Sequence, residues 1–206
     1  MAQLRPFVAL AERLGRFSVQ LDPERLGRVE LTLAGAIAES DPELLARAVL
    51  AGLLGPVTAG PVNLVNARLV AVERRVEVRI ERQSETTGYK SVLSIATETS
   101  DGQKITAGTV FDGRPRIVRL RDLDIEFAPE GYILVLSCED RPGMVGRIGS
   151  ILGRENVNIA SMHVGRKSKR GGAIVVLILD ENLSPAQVAE VARAVEADFA
   201  RLVRLP

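Results

Sequence analysis

Two hydrophobic periods run along this chain, and the places where one gives way to the other mark its elements. Phe7, Leu10, Leu14, Phe17 and Leu21 recur every three or four residues. That spacing predicts a helix over Leu4–Leu21, weakened slightly by Gly15 and stopped by Asp22-Pro23. Val29, Leu31 and Leu33 then alternate with Arg28, Glu30 and Thr32, the period of a half-buried strand. Asp41-Pro42-Glu43 is a helix start, because Asp41 can accept from free amides and Pro42 has no amide to lose in the first turn. This helix runs through Leu44, Leu45, Ala48 and Val49 towards Leu53 and stops at Gly55-Pro56. A further helix is predicted over Val62–Arg75, with Val65, Leu69 and Val72 on one side. Four strands follow: Val76–Ile80, Tyr89–Thr97, Lys104–Phe111 and one beginning at Arg116. Thr87-Gly88, Asp101-Gly102 and Asp112-Gly113 are the turns between them. Short connections predict a largely antiparallel sheet with the helices on one face.

The rhythm changes at Ala128-Pro129-Glu130-Gly131, the expected boundary between domains at 1–128 and 131–206. Beyond it come a strand (Tyr132–Ser137), a helix (Pro142–Gly153) and two strands (Val157–Gly165, Gly172–Leu179). A helix opening at Ser184-Pro185 and a strand (Phe199–Leu205) complete the series. The order βαββαβ is that of a ferredoxin-like sheet with both helices on one face. Nothing obvious in the sequence covers the other face. The expected class is α+β, in two small domains.

Composition narrows the chemistry. Of 206 residues, 46% are apolar and 26% charged, which suits a folded chain. Lys+Arg is 27 against Asp+Glu 26, so no general nucleic-acid affinity is expected. Arginine dominates the cations, an excess that either suits carboxylate or phosphate contacts or follows from gene composition. Cys138 and His163 are the single residues of their kinds, so an intrachain disulfide is excluded and a zinc site is disfavoured. The longest apolar run, Ala173–Leu179, is far short of the ~20 residues of a membrane helix. No signal-peptide pattern opens the chain, and a cytoplasmic setting is the expectation.

The chemistry-bearing residues cluster in the second half. Cys138-Glu139-Asp140-Arg141-Pro142-Gly143-Met144 passes from strand to helix. Its first-turn amides suit an anion or a ligand carboxylate, and Asp140 either caps the helix or accepts from a ligand ammonium. Asn158 either shapes a turn or gives and receives bonds to a small zwitterion. Arg166-Lys167-Ser168-Lys169-Arg170 reads first as a solvated hairpin tip and second as an anion or polynucleotide contact, and His163 as a surface or interface residue. Gly143-Met144-Val145-Gly146 lacks the context of a dinucleotide site, and no catalytic constellation or metal-ligand set is present.

Residues Asp140-Arg141-Pro142-Gly143, Asn158-Ile159-Ala160-Ser161-Met162, Val164-Gly165-Arg166 and Gly171-Gly172 resemble the ACT domain of the D-3-phosphoglycerate dehydrogenase family. Upstream, Leu53-Leu54-Gly55-Pro56, Val62–Ala67, Gly108–Phe111 and Arg116–Val118 resemble the intervening domain of its long form. The resemblance covers essentially the whole chain. It does not include the family's substrate- and NAD-binding domains, so it implies a regulatory half without catalytic residues and without a cofactor of its own. Met1 fits a fragment, a shortened product or a separate protein alike.

The resemblance implies L-serine as effector at an interface between two ACT domains. Asp140 would hold the ammonium or hydroxyl and Asn158 the amino-acid backbone, with Gly143 at the helix entry. Cys138 stands where a larger polar side chain is common. The resemblance also implies an anionic, phosphate-bearing ligand in the first domain, with Arg116 at one basic position. Leu123 and Ala128 stand where relatives carry Arg. The competing readings are a free-standing amino-acid sensor and a structural dimerisation module with a decayed site. The small chain of an iron–sulfur L-serine dehydratase is disfavoured, because its Ser-Ser-Ser-His stretch is missing.

Overall fold

The computed structural model describes residues 4–23, 27–99, 102–168 and 170–206. It divides into two units, one of residues up to Asp122 with Glu126–Pro129, the other of Leu123–Ile125 with Glu130–Pro206.

In the first unit, α1 (Arg5–Leu21) buries Leu10, Leu14, Phe17 and Leu21, the predicted stripe. It ends where the Asp22 amide donates to the Ser18 carbonyl at 3.0 Å. β1 (Arg28–Gly35) buries Val29, Leu31 and Leu33. α2 (Pro42–Leu54) starts as expected, with the Glu43 amide donating to Asp41 Oδ1 at 3.0 Å. It is apolar nearly all round, so it lies in the middle of the core. α1 and α2 cross where Gly15 faces Gly52. A Cβ on Gly52 would sit 2.0 Å from the Glu12 carbonyl oxygen, and one on Gly15 would sit 2.3 Å from that of Val49. Only glycine permits this backbone approach.

The third helix is shorter than predicted. Asn63 Oδ1 accepts from the amides of Val65 (2.9 Å) and Asn66 (3.3 Å), while Asn66 Oδ1 accepts from the Asn63 amide (2.8 Å). This reciprocal turn occupies the backbone that the prediction assigned to the first helical turn, and α3 spans only Ala67–Glu73. Its buried residues are Ala67 and Ala71; Val65, Leu69 and Val72 are exposed.

The strands are β2 (Glu77–Gln83), β3 (Ser91–Thr99), β4 (Gly102–Phe111), β5 (Arg114–Leu120) and β6 (Leu123–Phe127), in the order β2-β1-β3-β4-β5-β6. Most pairs are antiparallel, as expected, but β1 and β2 are parallel, from Arg28↔Glu77 to Ala34↔Gln83. α2 and α3 form the crossover between them, so β1 enters the sheet between β2 and β3. β6 was not anticipated. Asp101 of the expected hairpin turn lies outside the described residues.

The second unit contains β7 (Gly131–Glu139), α4 (Met144–Arg154), β8 (Ile159–Arg166), β9 (Gly172–Leu179), α5 (Pro185–Ala194) and β10 (Phe199–Leu205). The sheet order β10-β7-β9-β8 is the expected ferredoxin-like arrangement. Leu134, Leu136, Val175 and Leu177 meet Ile148, Leu152 and Val191 in one core. α5 opens with a reciprocal cap: the Gln187 amide donates to Ser184 Oγ (3.3 Å), and the Ser184 amide to Gln187 Oε1 (2.8 Å). The opposite sheet face, for which the sequence offered no obvious cover, is not open. Ile133 and Val176 are fully buried there, and a Cβ on Gly165 would meet the Asp124 carbonyl oxygen at 3.2 Å and Ile125 at 3.3 Å. Among the described residues, no helix is long and apolar enough to cross a membrane.

Candidate functional site

The end of β7 and the start of α4 enclose an open pocket of about 410 Å³. Its lining is Asp140, Arg141, Pro142, Gly143, Met144, Val145, Gly146, Arg166 and Arg170. β7 delivers Asp140, whose amide donates to the Gly171 carbonyl at 2.9 Å and so ties the loop to the β8–β9 hairpin. Gly143 then takes φ +85°, a left-handed conformation in which a Cβ would be strained. That turn starts α4 at Met144, two residues later than predicted. The first-turn amides of Val145 and Gly146 have no intrahelical acceptor and line the pocket.

Asp140 is not the helix cap. Its carboxylate accepts from Arg166 at the end of β8. Arg141 donates to Glu139 (2.6 Å) and Glu196 (2.7 Å), and these bonds, Glu139's first, hold its guanidinium more firmly protonated than usual. The pocket thus presents one carboxylate, three guanidinium groups and a helix N-terminus, an arrangement that matches both ends of a zwitterion. Sequence reasoning missed Arg166 and Arg170 as lining residues. The signal was present in the basic run, but only the β7–β9 and β8–β9 registers put it beside Asp140. Lys169 of that run lies outside the described residues.

The other expected site residues are elsewhere. Cys138 is 2% exposed in the core beneath the pocket, with Sγ 3.3 Å from Met144 Sδ. Burial pushes its thiol pKa up, and Asp140 and Asp198 add to the shift. Asn158 precedes β8. Its Nδ2 donates to Asp180 Oδ2 (2.6 Å) and its backbone amide to Glu181 Oε2 (2.7 Å).

Within one chain, Asn158 cannot meet Asp140. Ile159 and Tyr132 both register with Leu179, whereas Arg166 and Glu139 register with Ala173 and Gly172. The two residues therefore mark opposite ends of the sheet, about 25 Å apart at ~3.3 Å per strand residue. His163 is half-buried, its Nε2 3.1 Å from Ser161 Oγ. Arg116 lies on β5 of the first unit, half-buried opposite Thr109. A first-unit pocket of about 440 Å³, lined by residues including Phe7, Asp41, Lys90 and Ser91, does not include it. Among the described residues, no group of three or more His, Cys, Asp or Glu could hold a metal.

Comparison with known proteins agrees with both halves of the chain. The model of the D-3-phosphoglycerate dehydrogenase intervening domain matches residues 3–121, and that of the ACT domain matches residues 132–197. The chain belongs to the D-3-phosphoglycerate dehydrogenase family. It is 37% identical over 207 residues to the D-3-phosphoglycerate dehydrogenase of Synechocystis sp., covering all of this chain and 37% of that protein. The enzyme of the same name from Archaeoglobus fulgidus is 32% identical over 192 residues, covering 92% of this chain and 36% of the relative. That from Bacillus subtilis is 32% identical over 206 residues, covering 100% and 39%. The chain thus spans little more than a third of the length of these relatives and corresponds to the regulatory region, intervening domain plus ACT domain.

Proposed function

We propose that this chain senses L-serine for a D-3-phosphoglycerate dehydrogenase of serine biosynthesis, in a cytoplasmic setting, through a site that two copies complete. One observation carries the reading: Asp140 and Asn158 lie at opposite ends of the strand direction, beside a sheet whose edge strand is β8. If two β8 edges run antiparallel about a two-fold axis, the Arg166 end of one strand meets the Asn158 end of the other. Each of the two equivalent sites then holds one Asp140 and one Asn158 from different chains.

Serine fits this arrangement by exchange. Its ammonium takes Asp140 as partner, and its carboxylate takes Arg166 and the first-turn amides of α4, so the internal Asp140–Arg166 pair is replaced at both ends. Asn158, with its Nδ2 committed to Asp180, offers Oδ1 as an acceptor. Cys138 supports the turn from below through Met144. The consequence is coupling rather than catalysis: serine favours the paired arrangement, and by linkage the pairing favours serine.

Calorimetric titration of the purified chain with L-serine tests this reading. The expected affinity is micromolar to millimolar, roughly −4 to −8 kcal/mol, abolished by Asp140→Ala. Absence of heat from a folded, paired chain would overturn the sensor reading and leave an assembly module. The phosphate-bearing ligand assigned to Arg116 is tested by titrating inorganic phosphate into the wild type and Arg116→Ala.

A further inference from the structure

The first unit has an open edge of its own. β2 ends the six-stranded sheet, and among the described residues no strand pairs with its outer side. Its sequence is Glu77-Val78-Arg79-Ile80-Glu81-Arg82-Gln83, without proline or a break in the ladder to β1. Val78 and Ile80 register with Val29 and Leu31 and share the core face; both are only half-buried. Glu77, Arg79, Glu81 and Gln83 are exposed on the other face. Charges on an edge strand ordinarily discourage pairing. Here they alternate in sign, so they select one pairing rather than forbidding all.

We propose that β2 is an interface between two copies of this chain, paired antiparallel about a two-fold axis through Ile80. Keeping the core faces on one side requires residues of like parity to face each other. A dyad at Arg79 sets Arg79 against itself and Glu77 against Glu81. A dyad at Glu81 sets Glu81 against itself. A dyad at Ile80 sets Arg79 against Glu81 twice and Glu77 against Gln83 twice, with Ile80 against Ile80 on the core face. A dyad at Val78 also sets Glu77 against Arg79 twice but pairs only three residues of the strand, whereas the dyad at Ile80 pairs all seven, with two opposite-charge pairs and no like-charge pair on the outer face. The occupant that the edge fits is therefore its own copy.

The helix leading into β2 carries a second observation. α3 turns its alanines to α2 and leaves Leu69 and Val72 exposed by 62 and 74%, and Val65, in the turn before the helix, is exposed by 84%. Leu69 and Val72, three residues apart, lie on one side of the helix. α3 ends at Glu73 and β2 begins at Glu77, so a short connection joins this helix to the edge strand. Among the described residues this edge has no strand partner, and pairing would supply one. This interface lies in the first unit and does not depend on the serine site.

Crosslinking and mass test it together on the full chain. Ile80→Cys places two thiols on the dyad, at ~4.5–5.5 Å between Cα atoms, within disulfide range. Mild oxidation is expected to give a covalent dimer, and Val78→Cys, which faces Arg82, is expected not to. Arg79→Glu creates two like-charge pairs and should raise the dissociation constant about tenfold, halving the mass in sedimentation at micromolar concentration. Adding Glu81→Arg reverses both charges, restores both pairs and should restore the mass. A wild-type mass unmoved by Arg79→Glu, or an Ile80→Cys chain that does not crosslink, would overturn the proposal. Serine titration of Arg79→Glu keeps the two readings apart, because the ACT site should still give its heat.

Discussion

Gly52→Ala places a methyl group where the backbone of α1 already lies. The new Cβ would sit 2.0 Å from the Glu12 carbonyl oxygen and 2.8 Å from the Arg16 amide nitrogen. An ordinary contact of this kind is about 3.3–3.6 Å, so the helices must separate by more than 1 Å. No flexible side chain can yield, because both obstacles are backbone. A gap of that size forfeits about a quarter to a half of the dispersion energy across the seam, where Leu14, Leu45, Val49 and Leu53 are fully buried. Overpacking costs about 3 kcal/mol at the upper end of its range. Replacing glycine inside a helix returns about 1 kcal/mol. The net expectation is a loss of about 2 kcal/mol, a fall in Tm of about 6–8 °C. Gly149→Ala in α4 is the matched control: a Cβ there would meet nothing within 4 Å, so only the propensity gain of up to about 1 kcal/mol remains. Urea denaturation and calorimetry of both variants measure the difference. A Gly52→Ala chain as stable as the wild type, or a Gly149→Ala chain destabilised equally, would refute the close-crossing argument.

Three further expectations rest on other parts of the molecule. Arg68 donates to Glu43 at 2.7 and 2.9 Å and lowers its pKa from 4.5 to about 2, with a further bond from Arg47. The resulting stabilisation is complete above the unfolded value and disappears as pH falls from about 4.5 towards 2; because Glu43 is 41% exposed, it is limited to about 1 kcal/mol. Glu43→Gln should remove that part of the acid-induced loss in urea titrations at pH 7 and pH 3, and an unchanged difference between the two pH values would contradict it. The buried thiol of Cys138, its pKa raised, should react with a thiol reagent at pH 8 only in denaturant, and rapid labelling of the native chain would contradict its placement in the core. Ser184→Ala removes the α5 cap and should cost about 1 kcal/mol; urea titration showing no loss would mean that the cap is not holding the helix.

Much of the fold was legible because period and caps agreed. α1 had a buried stripe that stopped at Asp22, and α2 and α5 opened on Asp41 and Ser184, whose side chains each meet a free amide. β6 was equally readable: Leu123, Ile125 and Phe127 alternate with Asp124 and Glu126, and the former are buried. It was missed because the domain boundary drew attention to Ala128. The parallel β1–β2 pair was not legible, since alternation reports which face a strand buries and nothing about its neighbour. α3 misled because Val65, Leu69 and Val72 have the spacing of a core stripe, while two alanines do the packing. At the site, the strand-to-helix turn was readable from Asp140, Pro142 and Gly143. The Asp140–Arg166 pair was not, because it spans a hairpin and depends on strand register. The separation of Asp140 from Asn158 depends on register too, and under the proposed pairing of two copies it turns one expected site into two half-sites.

That last point is tested most directly by mixing two defective chains. Asp140→Ala and Asn158→Ala should each bind no L-serine alone. After exchange of copies in an equal mixture, half of the dimers contain one chain of each kind, and each such dimer has one intact site. Calorimetry of the mixture should therefore recover about a quarter of the wild-type stoichiometry, at wild-type affinity. No recovery from chains shown to exchange would contradict a site shared between two copies.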